Sequence, residues 1–174
     1  MQQVIILHAW GNAPEDYWYP LLANELTKKG YRVVIPELVD KDKPELGTWR
    51  ECVLSKTKID GSTIIIGHSL GAVLALKLAE EFKFDTLITV AGWDYWDRTP
   101  EHESFFRTII DQNKIIENVK SRIVFHSDND PYVTKILAGE FADRMKAKFN
   151  LVVGKAHFTA KDGVTEMPEI VSVL

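Results

Sequence analysis

Three side-chain types that together can cleave an acyl bond stand at the ends of apolar runs in this chain. They are Ser69 in "GHSLG", Asp128 and Asp130 in "HSDND", and His157 in "GKAHF". A serine hydroxyl is a poor nucleophile until a base takes its proton. An imidazole does this best when a carboxylate orients its ring and stabilises the cation. His157 is therefore the expected base, and the acid comes from the 128–130 segment, where spacing alone does not separate Asp128 from Asp130. The Gly67-x-Ser69-x-Gly71 spacing supplies the mount. A serine between an apolar strand pattern and an apolar helical pattern is displayed only if its backbone is strained, and side chains two positions away would strike neighbouring backbone. The Leu70 N–H at the helix start would then face a developing oxyanion, with the Trp10 N–H after the first run as second donor. A purely structural reading competes, because glycines turn a chain tightly and serine caps helices. The later acid and histidine, each at a further run end, favour chemistry.

These residues need elements that hold them together. Six short runs rich in Val and Ile occupy 4–9, 32–38, 63–69, 86–92, 122–128 and 150–156. Their nearly continuous apolar character is that of strands covered on both faces, hence parallel. Helical patterns lie between them. One opens at Pro14, repeats Trp18, Leu22 and Leu26, and stops at Gly30. A weaker one covers "GTWRECVLSKTK", and "LGAVLALKLAEEF" is strongly apolar, with Lys77, Glu80 and Glu81 left for water. A fourth, from Pro131 to Lys148, repeats Ile136, Phe141 and Met145. The expectation is a single α/β domain over 1–174, a doubly wound, mostly parallel sheet of about six strands flanked by helices. Ligands in such sheets bind beyond the carboxyl ends of the strands, where His8, Trp10, Ser69, Trp93 with Asp94, Asp128 with Asp130, and His157 all fall. Trp93, Tyr95 and Trp96 are expected to wall the substrate pocket. The connection from Trp93 to Lys120, helical through 107–119, is too short for a separate cap. His8 is expected to bond loop backbone, His68 to pack beneath the serine, His126 to sit in the core, and His102 to be solvated.

Composition bounds the alternatives. A hydrophobic content of 45% with 26% charged residues is ordinary for a soluble globular chain. A net charge of −4 leaves no footprint for nucleic acid or an anionic membrane. The one cysteine, Cys52, allows no intrachain disulfide and is expected to turn inward with Trp49. No run approaches the ~20 apolar residues of a membrane span, and "MQQVIILHAW" lacks a basic leader pattern, so a cytoplasmic location is expected. No His/Cys/Asp cluster has metal-ligand spacing, and neither a dinucleotide fingerprint nor a phosphate loop is present. No cofactor is implied.

The chain resembles the small, lidless serine hydrolases of the YdeN and retinoblastoma-binding-protein-nine type. The resemblance runs over essentially its whole length and is carried by "GHSLGAVLAL", "FHSDNDPYV" and "GKAHF". The order Ser, acid, His is that of α/β-hydrolases. The resemblance implies that the acid preceding proline, Asp130, joins Ser69 and His157, and that a reduced α/β-hydrolase fold cleaves carboxylic esters or related small acyl groups. His8-Ala9-Trp10-Gly11 departs from the more usual His-Gly after the first strand, at the place where Trp10 would donate. A catalytically silent binding protein on the same fold, or a peptidase or acyltransferase using the same residues, are the other classes. Reaction of Ser69 with an activated-serine probe separates the first of these, and matched amide and ester substrates separate the rest.

Overall fold

All 174 residues are described in a computed structural model of the protein. Six strands, β1 (Gln3–Leu7), β2 (Arg32–Val34), β3 (Ile64–His68), β4 (Phe84–Val90), β5 (Val119–Ser127) and β6 (Lys148–Val152), form one sheet. Their order is β2-β1-β3-β4-β5-β6 and every pairing is parallel. The inner strands β1, β3, β4 and the second half of β5 read as unbroken apolar runs because both faces are covered, while the edge strands β2 and β6 are partly exposed. Along β1, Ile5 and Leu7 point into one core while Val4 and Ile6 point into the other. The larger core lies under α2 (Leu46–Lys56), α3 (Leu70–Glu81), α4 (Gln112–Asn118) and α5 (Lys135–Arg144). The smaller lies under α1 (Tyr19–Lys28) and α6 (Pro168–Val173). The chain leaves β1 outward to β2 and returns to β3 on the other side, so a crevice opens between the β1 and β3 ends, and Ser69 stands at its lip.

α3 is the hub. Nine of its twelve residues are buried, which explains a sequence apolar nearly all round. Lys77 does not face water: its ammonium is within 3.1–3.4 Å of the Thr108 carbonyl, the Thr108 hydroxyl and the Ile109 carbonyl, and pairs with Glu80 at 3.1 Å. Only Glu81 is fully on the outside. Three other sequence readings shift. Residues 14–17 are a turn, pinned by Asp16 accepting from the Ala13 N–H at 2.8 Å. α1 starts at Tyr19 with Pro20 in its first turn, where a missing N–H costs nothing. In α5 the buried stripe is Ala138, Phe141 and Ala142, followed by Met145, and Ile136 is 68% exposed on the outer face. The stretch 107–119 contributes only the seven-residue α4, preceded by a 3-10 turn at Pro100–Phe106. Cys52 is half-buried beside the fully buried Trp49.

Candidate active site

The turn from β3 into α3 puts Ser69 at φ 53°, ψ −123°, a region non-glycine residues rarely enter. Such backbone costs about 1–3 kcal/mol, and the flanking glycines make it possible. A Cβ on Gly67 would run into the backbone of Gly71 and Ala72. One on Gly71 would run into the carbonyls of Leu7 and His8. The strand, the helix and the end of β1 are thus in close backbone contact around Ser69.

His157 meets it. Its Nε2 lies 2.9 Å from Ser69 Oγ and its Nδ1 2.8 Å from Asp130 Oδ2, so the three form one hydrogen-bonded chain. Asp130 is sealed by its loop: its other oxygen accepts from the Tyr132 and Val133 amides at 2.8 and 3.1 Å. Burial alone would raise this carboxyl's pKa. The bond from His157, the charge that ring can carry and the two amides outweigh it, and the net effect is to hold the group below its ordinary value. Asp128 takes a different task, accepting from the Gly154 N–H at 2.7 Å. Asn129 accepts from the Ala156 N–H at 2.8 Å and Ser127 Oγ from the Lys155 N–H at 2.9 Å. Three consecutive residues at the end of β5 and just beyond it therefore staple three consecutive residues after β6. Asp162 completes the clamp by accepting from the amides of His157 and Thr159.

Beneath this chain runs another that the sequence did not announce. The Ala9 N–H donates to the Tyr19 hydroxyl at 3.1 Å, which donates to His68 Nδ1 at 2.6 Å. His68 Nε2–H then donates to the His157 carbonyl at 2.9 Å. Trp18 Nε1–H donates to the next carbonyl, that of Phe158, at 3.1 Å. Ala156 and Phe158 both have positive φ, so His157 sits on a contorted segment held from below. Burial, and then the neighbouring His157 charge, push the His68 pKa down to about 3. His8 bonds loop backbone, its Nδ1–H reaching the Ala9 carbonyl and its Nε2 accepting from the Leu38 N–H. His126 Nε2–H donates to the Val133 carbonyl at 2.8 Å, under the Asp130 loop.

Ser69 and His157 open into a cleft of about 440 Å³. Because the Ala9 N–H is spent on Tyr19, the next donor is the Trp10 N–H, which makes no bond within the chain. Leu70, first residue of α3, has no acceptor one turn back. Trp93 and Tyr95 line the cleft. Trp96 does not: it is 54% exposed and outside the lining. Asp94 is outside the lining too, tied to Arg144 by two bonds of 2.7 and 2.8 Å and to Gln112 by one of 2.7 Å. His102 lies in the cleft wall, 7% exposed, rather than in solvent. No group of three or more His, Cys, Asp or Glu side chains is arranged to hold a metal ion. No helix is long and apolar enough to cross a membrane.

A parallel six-stranded sheet with a strained serine at the end of its third strand is the α/β-hydrolase architecture. A Xanthomonas campestris pv. campestris protein assigned to that superfamily shares the fold at a TM-score of 0.70 and 15% identity, covering the whole of both chains. The crystal structure of the ydeN gene product from B. subtilis matches at a TM-score of 0.89 and 25% identity, covering 99% of this chain and 96% of that one. A serine hydrolase family profile matches residues 4–174, and the chain belongs to that family. YdeN of Bacillus subtilis (strain 168) is 26% identical over 179 residues, 99% of this chain and 94% of its own. The serine hydrolase RBBP9 of Rattus norvegicus is 28% identical over 167 residues, 94% of this chain and 88% of its own.

Proposed function

We propose that this serine hydrolase cleaves carboxylic esters or related small acyl substrates through an acyl-enzyme. The observation that carries the reading is the unbroken chain from Ser69 Oγ through His157 to Asp130 at 2.9 and 2.8 Å, opening into a cleft. Ser69 Oγ attacks the carbonyl carbon as His157 Nε2 takes its proton, and Asp130 holds the imidazolium that forms. The carbonyl oxygen, now negative, is met by the N–H groups of Leu70 and Trp10. Collapse of the tetrahedral intermediate breaks the bond to the leaving group, which receives the proton from His157. A water then repeats the sequence on the acyl-serine and releases the acid. The residues over the cleft are single side chains and short loops, so small or exposed acyl groups suit it. A cytoplasmic setting, without nucleic-acid or membrane partners, belongs to the same reading.

Labelling by a fluorophosphonate tests it, because the probe reacts where a base and an oxyanion site already activate a serine. Wild type is expected to label at Ser69, and Ser69→Ala to lose the label and all ester turnover. Folded wild-type protein that takes no label would instead be a binding protein on this fold.

A further inference from the structure

Five buried polar side-chain atoms of the protein have no hydrogen-bond partner, and two of them, Trp93 Nε1 and His102 Nε2, belong to the wall of the Ser69 cleft. A buried polar atom without a partner is destabilising. Two in one wall of a substrate cleft ask what would satisfy them. The other three, on Thr89, His126 and Glu169, lie outside that wall.

The surroundings fix what each nitrogen can do. His102 Nδ1 lies 3.0 and 3.2 Å from the two oxygens of Asp97, and Asp97 is itself pinned by the Thr99 N–H at 3.0 Å. A carboxylate only accepts, so Nδ1 carries a proton toward Asp97, and in the neutral form of the ring Nε2 keeps a lone pair. Trp93 Nε1 can only donate. The two rings lie 5.4 Å apart, centre to centre, with Trp10 edge-on to His102 at 5.1 Å. A donor beside an acceptor, framed by aromatic faces, matches one small group that does both: a hydroxyl.

We propose that Trp93 and His102 form a hydroxyl-binding subsite, in which Trp93 Nε1–H donates to the hydroxyl oxygen of an aromatic acyl group and that hydroxyl donates to His102 Nε2, with Asp97 holding the ring in the accepting tautomer. The assignment of this group to the acyl side rests on the ester-hydrolase reading above. Both nitrogens are covered in this arrangement. A hydroxyl reaches them only if a neighbouring side chain turns aside, and on this proposal that side chain is Trp10, 37% exposed and edge-on to His102.

The test is a pair of methyl esters, of 3-(4-hydroxyphenyl)propanoic acid and of 3-phenylpropanoic acid, compared by kcat/KM. Wild type is expected to prefer the hydroxylated ester by about tenfold, the worth of one to two good hydrogen bonds. Trp93→Phe and His102→Phe keep an aromatic ring and lose the nitrogen, and each is expected to bring the ratio close to one. A loss of rate common to both esters leaves the ratio unchanged and does not count. No preference in wild type, or a preference that survives both substitutions, overturns the subsite. If Ser69 takes no fluorophosphonate and neither ester turns over, the hydrolase reading fails, and the subsite is then decided by calorimetry with the two free acids. Tighter binding of the hydroxylated acid, lost in both variants, supports it. Equal affinity overturns it.

Discussion

His68 and His157 are two imidazoles whose ring centres lie 5.6 Å apart, and they do opposite work. His157 reaches the cleft, with a carboxylate on one nitrogen and a hydroxyl on the other. His68 is fully buried between a tyrosine hydroxyl that donates to it and a carbonyl that takes its one proton. A second proton on His68 would face the Tyr19 hydroxyl, already engaged with the Ala9 amide. On the function proposed above, the same side chain is a proton carrier in one place and a rigid strut in the other. Partners and burial decide which, and the strut holds the backbone of the carrier.

That contrast breaks most visibly in kinetics. His157→Ala is expected to lower kcat by about 10⁶-fold, the scale of losing a general base that works as a unit with its nucleophile, while the urea midpoint barely moves. His68→Ala is expected to cost about 3 kcal/mol of stability, from a cavity and two orphaned partners, read as a lower urea midpoint, with a far smaller loss of rate. A His68→Ala enzyme as dead as His157→Ala, yet equally stable to wild type, would show that the deep histidine takes part in proton transfer. The next largest effect separates two acids. Asp130→Asn is expected to lower kcat by roughly 10⁴-fold, because the amide favours the wrong tautomer of the base. Asp128→Asn, which keeps an oxygen for the Gly154 N–H, is expected to lose less than tenfold. Reversal of the two in a steady-state ester assay would reassign the acid.

The fold was legible where burial on both faces wrote itself as a run of Val and Ile, as in β1, β3, β4 and the second half of β5, whereas the edge strand β6 is largely exposed and runs over Lys148–Val152 instead of 150–156. Ser69 and His157 were legible because an elbow and a strand end are local patterns. Tyr19, Trp18, Asn129 and Asp162 were not. Tyr19 meets His68 across 49 positions and Trp18 meets Phe158 across 140, and no spacing rule reaches that far. His102 looked solvated because acids surround it in sequence, yet one of those acids, Asp97, is what binds it into the wall. Ile136 misled because 136, 141 and 145 do not share a helical face, and the real stripe uses small alanines that carry little hydrophobic signal on their own.

The smallest expected effect is also the sharpest probe of the two histidines. In the unfolded chain His68 titrates near its ordinary 6.5, whereas in the folded protein it resists protonation until about pH 3. Between these values the unfolded state binds the extra proton, so stability falls as pH falls, by about 1.4 kcal/mol per unit once well below 6.5. His8 and His126, also lowered by burial, act in the same direction. The comparison that isolates His68 is therefore wild type against His68→Gln, each measured by urea unfolding at pH 6.5 and 4.5. That window stays above the range where Asp130, held below its ordinary value, begins to take up protons. Wild type is expected to lose about 2 kcal/mol more than the variant across it. Equal losses would mean that His68 is protonated in the folded protein, that the Tyr19 bond reverses, and that the strut is a second titrating group under the His157 ring.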